Sequence, residues 1–151
     1  MKILEVESPN YTTRFDAKAE GEIPKLCREK IQIALHEAHG PTGTEALKVY
    51  LDGSTGLGCH YLIDTDGTVY HLMVDEYIPA GYLDKVLAVG VVVDGCPDAQ
   101  IEGLLDLLTD LCFTHRIPLN QVNGFAGKDF PWYEFLNTLG AKLSEREFAE
   151  D

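Results

Sequence analysis

A hairpin signal near the middle of the chain constrains the fold more than any other feature. The segments Gly58–Asp64 (GCHYLID) and Thr68–Val74 (TVYHLMV) are both apolar, and they flank Thr65, Asp66 and Gly67. An Asp-Gly pair between two apolar runs is the strongest short-range indication of an antiparallel turn, because glycine accepts the positive φ that such turns need. We therefore expect two adjacent antiparallel strands here.

The segments around this hairpin predict an α/β domain. Apolar runs predict strands over Ile31–His36 and Val86–Asp94, and the second run is so continuously apolar that we expect it to be buried on both faces. Helical spacing and turn residues predict three helices, over Thr44–Asp52, Asp98–Arg116 and Trp132–Leu139. A last strand is expected over Leu119–Asn123. Together these elements predict a mixed central sheet flanked by helices.

Composition indicates how the chain is divided. With 151 residues and 45% hydrophobic content, it suits one globular domain. Residues 1–30 are polar without a clear period and predict an N-terminal arm packed on the domain. Residues 31–140 hold the predicted elements, and residues 141–151 are expected to form an acidic C-terminal tail.

The charge of the chain excludes some kinds of partner. Twenty-five acidic residues against twelve Lys and Arg leave a formal net charge of -13, which repels the phosphates of nucleic acids and anionic lipids. We expect no nucleic-acid partner and no membrane partner. The acidic surface either keeps the protein hydrated or occupies a basic groove on another protein.

The cysteines and the amino terminus indicate a reducing compartment. The four cysteines are widely spaced without a CxxC pair, which predicts reduced core thiols. No basic stretch followed by an apolar run opens the chain, and no apolar stretch is long enough to cross a membrane. We therefore expect a cytoplasmic location, which would be the host cytoplasm for a phage protein.

A series of segments resembles the landmarks of a known enzyme family. They are, in order, SPNYTTR, IQIALHEAHG, GCHYLIDTDGTVYHL, PAGY, VGVVVDG, VNGFAGKDFPW and EFLNTLG. Read together, they resemble the zinc-dependent N-acetylmuramoyl-L-alanine amidases, which cut peptidoglycan, and the related peptidoglycan-recognition proteins. The resemblance covers roughly residues 8–140 and implies the amidase-like fold.

The resemblance also implies which residues carry the chemistry. In the family, two histidines and an Asp or Cys hold a zinc ion whose fourth ligand is water with a pKa lowered towards ~7. A Glu or Tyr moves the proton, and a Lys stabilises the oxyanion. Here His36 stands at the first ligand position and Lys128 at the position of the catalytic lysine. These are the two family positions that the chain retains.

The other family positions hold residues that cannot do this chemistry. Phe125 and Phe130 replace the remaining metal ligands, while Asp129 is one residue out of register with the third. Val92 stands at about the position of the catalytic Glu, and Cys59 stands where one branch has its Tyr. The resemblance therefore implies a degenerate site for which no cofactor is expected.

Two possible functions follow from the residues at these family positions. The first is a catalytically degenerate, amidase-like protein of phage or prophage type that binds or regulates. Its partner would be a muropeptide in the old groove, a host or phage protein, or a small anionic ligand at Lys128. The alternative is an active amidase that cuts the MurNAc-L-Ala amide with a displaced zinc site, built from His36, Asp129 and either His39 or His60.

Further side chains are candidates for the groove. Tyr82 and Trp132, with Tyr77 and Tyr133, would offer aromatic surfaces to a glycan or peptide, although Trp132 suits the core equally well. His60 is a further binding candidate.

The remaining histidines have simpler interpretations. His60 and His71 on the hairpin form a metal pair or, as we favour, one half-buried histidine with a backbone partner and one exposed histidine, because two ligands without a third make a poor site. His39 is expected to face solvent, and His115 suits the dipole at its helix end. Cys59 beside His60 is not expected to act as a nucleophile, since adjacent strand residues point to opposite faces.

Overall fold

The computed structural model describes the backbone of residues 1–150 and the side chains of residues 1–147. These residues include eight strands, three α-helices and one short 3-10 helix. In order they are β1 (Ile3–Glu5), β2 (Thr13–Asp16), β3 (Gly21–Pro24), β4 (Gln32–Glu37), α1 (Gly43–Leu51), β5 (Tyr61–Ile63), β6 (Val69–His71), β7 (Val86–Val91), α2 (Asp98–His115), the 3-10 helix (Leu119–Gln121), β8 (Val122–Gly124) and α3 (Trp132–Glu150).

Six of the strands form one mixed sheet, in the order β1-β6-β5-β7-β4-β8. Neighbouring strands are parallel everywhere except in the β5–β6 pair, which is antiparallel with Tyr61 opposite His71. The predicted hairpin and the predicted mixed sheet are therefore confirmed. Strands β2 and β3 form a separate antiparallel ribbon.

The centre of the sheet is β7, whose six residues are all buried. On one face, Leu87 and Val89 pack with Leu104 and Leu108 of α2 and with residues of α3. On the other face, α1 packs against Ala88 and its neighbours. The expectation of a central strand covered by helices on both sides is confirmed. None of the helices among the described residues is long and apolar enough to cross a membrane.

The hairpin turn packs directly against α2. Gly67 has φ 88°, and its N–H donates to the carbonyl of Asp64 at 3.0 Å. A Cβ atom on Gly67 would lie only 2.5 Å from the backbone oxygen of Ala99 in α2. The glycine therefore provides both the turn conformation and the close approach of the helix.

The last helix is much longer than predicted. The predicted end at Leu139 is wrong, because α3 continues through the described part of 141–151, the segment expected to be a tail. The continuation is anchored, since Leu143 packs against the core and the Arg146 guanidinium donates to Asp110. Residue 151 lies outside the described residues, as do the side chains of 148–150.

The N-terminal segment holds three strands that the sequence did not indicate. Strand β1 joins the edge of the main sheet beside β6, and β2 and β3 form the ribbon. Two buried polar side chains fix the segment to the end of α1. The Ser8 hydroxyl donates to the Tyr50 carbonyl at 2.6 Å, and the Asn10 amide donates to the carbonyls of Tyr50 and Leu57 at 3.1 and 2.7 Å.

The last predicted strand is shorter than expected. Residues Leu119–Gln121 form the 3-10 helix, and only Val122–Gly124 pair with β4. Pro118 precedes the 3-10 helix with φ -70°, the conformation that suits the start of a helical turn.

The contact between the turn and α2 predicts that substituting Gly67 costs more stability than substituting Gly56. Gly67→Ala should lower the free energy of unfolding by about 2–4 kcal/mol, since it combines the cost of a positive φ with a clash against backbone. Gly56 also has a positive φ, 65°, but a Cβ there meets nothing within 4 Å, so Gly56→Ala should cost only about 1 kcal/mol. Urea unfolding of both variants measures the difference, and equal costs would contradict the packing argument.

Candidate functional site

The candidate site lies near the carboxyl ends of β4 and β7. His36, near the end of β4, stands opposite Gly90 of β7 in the sheet register. A Cβ atom on Gly90 would come within 3.0 Å of Nε2 of His36. The missing side chain therefore makes room for the imidazole on the face that α1 covers.

Two tyrosine hydroxyls occupy both ring nitrogens of His36. Nε2 lies 2.7 Å from the hydroxyl of Tyr50, a residue of α1 that is only 1% exposed, and Nδ1 lies 2.8 Å from the hydroxyl of Tyr82. Burial, followed by the neighbouring His39, lowers the pKa of His36 to about 4. The ring is therefore neutral near pH 7, with one nitrogen donating and the other accepting.

The residues at the other two ligand positions carry no atom that binds a metal. Phe125 is 56% exposed, whereas Phe130 is 6% exposed and its ring packs on Trp132 and Phe135 with centroid separations of 4.7 and 5.0 Å. Phe130 is therefore part of the core. The family's zinc ion does not fit these residues, and among the described residues no group of three or more His, Cys, Asp or Glu side chains could hold a metal ion.

The residues that the resemblance places at or beside the catalytic positions are either exposed or buried in the core. Lys128 and Asp129 are both exposed. Burial, and after it the negative charge of Asp129, raises the pKa of the Cys96 thiol. The Asp129 carboxylate therefore lies near Cys96. Val92 is buried and packs in the α1 cluster. Cys59 is also fully buried, and burial raises the pKa of its thiol far above the usual range.

His60 has a structural role in joining three parts of the fold. It is 0% exposed, its Nε2–H donates to the Tyr77 carbonyl at 2.8 Å, and its Nδ1 accepts from the Ala88 N–H at 3.0 Å. Burial lowers its pKa to about 4. The preferred interpretation was a half-buried histidine with one backbone partner, and the structure gives a fully buried one with two. Neither nitrogen is available to a metal.

The aromatic candidates fall into different regions. Tyr82 is part of the His36 cluster, whereas Trp132 packs beside Phe130. Tyr77 packs on Tyr11 with a centroid separation of 4.7 Å, and Tyr133 is 80% exposed at the start of α3. The structure therefore brings only one of the predicted aromatic residues to His36.

Two residues of the site escaped the sequence analysis. Tyr50 lies on the apolar stripe of α1 and resembles any core aromatic, and Gly90 lies inside an apolar strand. A glycine in a central strand is the one available signal, because it often marks a close approach by another group.

Solved structures with the same arrangement of elements include N-acetylmuramoyl-L-alanine amidases. LysC from Clostridium intestinale has a TM-score of 0.64 at 19% identity, over 93% of this chain and 98% of that chain. AmpD has a TM-score of 0.63 at 17% identity, over 91% and 94%. AmiD from E. coli, in complex with the substrate anhydro-N-acetylmuramic acid-L-Ala-D-γ-Glu-L-Lys, has 0.64 at 18% identity, over 84% and 61%. This protein has the N-acetylmuramoyl-L-alanine amidase fold.

The amidase fold is shared here at low sequence identity. No protein-family model and no curated protein matches the sequence. The backbone framework is therefore retained, while two metal-ligand positions of the resemblance hold phenylalanines.

The tyrosine contacts of His36 predict a stability effect within the amidase fold. Tyr50→Phe should lower the free energy of unfolding by about 1–3 kcal/mol, because it leaves a half-buried ring nitrogen without a partner. Tyr133→Phe, on an exposed ring, is the matched control and should change it by less than about 0.5 kcal/mol. Chemical unfolding at pH 7 measures both, and equal effects would count against the hydrogen bond.

The buried state of His60 predicts acid sensitivity. Its folded pKa of about 4 lies below the ordinary histidine value of 6.5, so the unfolded chain binds the proton more tightly. Stability from this residue should fall as the pH drops through 6.5 towards 4, by about 3 kcal/mol in all. Urea unfolding of wild type and His60→Gln between pH 7 and pH 4 tests this. The variant should show a shallower pH dependence than wild type, and equal slopes in the two proteins would contradict this role of His60.

Proposed function

We propose that this protein is a catalytically inactive relative of the peptidoglycan amidases that binds its ligand without cutting it. The observation that carries the proposal is that both ring nitrogens of His36 are already hydrogen-bonded. Tyr50 and Tyr82 take both of its ring nitrogens, and these hydrogen bonds stand where a metal bond would be needed.

Amide hydrolysis needs functions that the remaining side chains do not supply. A metal-bound water requires three protein ligands, and a proton carrier must lie beside it. Phe125 and Phe130 provide no ligand atom, and Val92 carries no proton. Lys128 can stabilise negative charge, but it cannot activate water alone.

A muropeptide is the ligand class that the surface near His36 supports best. Leu83, next to Tyr82, is 79% exposed, and Phe125, whose N–H donates to the Leu35 carbonyl, is 56% exposed. These apolar surfaces suit a sugar ring and an alanyl side chain, while Lys128 suits the peptide's carboxylates. AmiD, which has the same fold, was solved with such a substrate.

A regulatory role of phage or prophage type completes the proposal. Endolysins, one of them from a bacteriophage, are among the proteins with this fold. A protein that binds muropeptides without consuming them would report on cell-wall turnover or withhold the fragment from an active enzyme.

Titration with anhydro-N-acetylmuramic acid-L-Ala-D-γ-Glu-L-Lys tests binding. We expect saturable calorimetric binding, shifts in the amide resonances of Leu83 and Phe125, and no release of peptide by mass spectrometry. Phe125→Ser should weaken binding about tenfold or more, since it removes a central aromatic contact. Phe15→Ser is the matched control, because Phe15 is 66% exposed on β2, away from His36. Absence of binding, or equal loss in both variants, would overturn the proposal.

Zinc content separates this proposal from the alternative of an active amidase. After purification in zinc-supplemented buffer, wild type and His36→Ala should contain equally little zinc by elemental analysis. About one zinc per chain that is lost in His36→Ala, together with cleavage of the muropeptide, would establish the displaced site instead.

A further inference from the structure

A cluster of ionisable side chains lies on the α2 face of the sheet, away from the His36 site. At its centre, Asp75 accepts hydrogen bonds from the Tyr61 hydroxyl at 2.6 Å and from Nε2 of His115 at 2.8 Å. Burial alone would raise the pKa of Asp75, but His71, Tyr61 and His115 outweigh it and hold that pKa well below its usual range. Asp75 is therefore an ionised carboxylate fixed to β5 and α2.

His71, at the end of β6, lies between Asp75 and a second carboxylate. Its ring stacks on Tyr61, with centroids 4.5 Å apart and an interplanar angle of 5°. Nδ1 is 2.9 Å from Glu5 Oε2, and Nε2 is 3.4 Å from Asp75 Oδ1, an ion-pair distance without hydrogen-bond geometry. Because each nitrogen faces a carboxylate, only the protonated ring presents an N–H to both.

The groups around His71 together favour its protonated form. Burial lowers the pKa of His71, but Asp75 and Glu5 outweigh burial and raise it above its usual value. His60, with its pKa of about 4, is neutral near pH 7. The ammonium group of Lys30 donates to two backbone carbonyls, at 2.7 and 3.2 Å. Protonation of His71 is thus governed by the two carboxylates that flank it.

Strand β1 depends on few other contacts. It pairs only with β6, over three residues, and all three of its side chains are exposed. After the strand, the N–H of Val6 donates to the His71 carbonyl at 3.1 Å, and that of Ser8 to the Leu72 carbonyl at 2.8 Å. The ion pair between Glu5 and His71 is therefore the side-chain tie of β1 itself, whereas the segment after it is held separately by Ser8 and Asn10.

We propose that His71 is a pH-dependent latch: its protonated ring holds β1 against β6 through Glu5, and its deprotonation weakens that pairing. A groove of about 660 Å³, lined on one side by residues 5–9 and on the other by residues 71–74, begins where β1 ends. The latched state binds the proton more tightly, so it prevails at low pH and declines as the pH rises through the raised pKa of His71.

The latch lies apart from the His36 site and does not depend on the muropeptide proposal. When the pairing of β1 weakens, the backbone N–H and C=O groups on the outer side of β6 are less protected from solvent.

Amide hydrogen exchange measures the latch directly. Protection factors, corrected for the intrinsic pH dependence of exchange, should be followed from pH 6 to pH 9. The reporters are Val6, whose N–H donates to the His71 carbonyl at 3.1 Å, and Val69, whose N–H donates to the Lys2 carbonyl at 2.9 Å. Ser8, which is held to Tyr50, should keep its protection, and Val92, which donates to the Ile63 carbonyl, is the core reference. Reporter protection should fall about two- to fivefold relative to Val92, the effect of an ion pair with one exposed partner.

Matched glutamate variants complete the experiment. Glu5→Gln should give low reporter protection at every pH and lower the midpoint of the His71 ring titration followed by NMR. Glu7→Gln removes the same charge from an exposed position two residues further along and should behave as wild type. Wild-type protection that is independent of pH, or equal loss in both variants, would overturn the latch.

Discussion

Strand β7 is the element on which the rest of the structure depends. Its residues are buried on both faces, and it pairs in parallel with β4 on one side and β5 on the other. The β5–β7 pair places the hairpin, and His60 reinforces it by bonding to Ala88 of β7 and to the Tyr77 carbonyl. The β4–β7 pair places His36 opposite Gly90, where the ring has room on the α1 face.

Hydrogen bonds satisfy the histidine that the resemblance assigns to a metal site. Tyr50 and Tyr82 bond to both nitrogens of His36, so the histidine is stable without a metal. On the other face of the sheet, Phe130 packs in the core against Trp132 and Phe135. A half-buried histidine without these partners would be costly, because unsatisfied polar groups destabilise a folded protein. The surroundings of His36 are therefore packed and hydrogen-bonded.

The pKa values of the histidines on the two faces of the sheet are shifted in opposite directions. On the α1 face, burial and then the neighbouring His39 lower the pKa of His36 and keep it neutral near pH 7. On the α2 face, Glu5 and Asp75 favour the charged form of His71. Sequence spacing did not reveal this difference. His71 was expected to be exposed and His115 to interact only with the helix dipole, whereas both contact Asp75, which the chain supplies from the loop after β6.

The sequence by itself determined the central framework. The Asp-Gly turn, the continuous apolar run of β7 and the stripe of α2 are local patterns, and each was predicted because side-chain periodicity follows backbone geometry. The phenylalanines at the ligand positions of the resemblance, Phe125 and Phe130, were also visible, since they concern residue type alone. Only the tertiary structure decided the partners of His36, the pairing of β1 with β6 and the length of α3. These depend on contacts between residues far apart in the chain, where no local pattern records which side chain meets which.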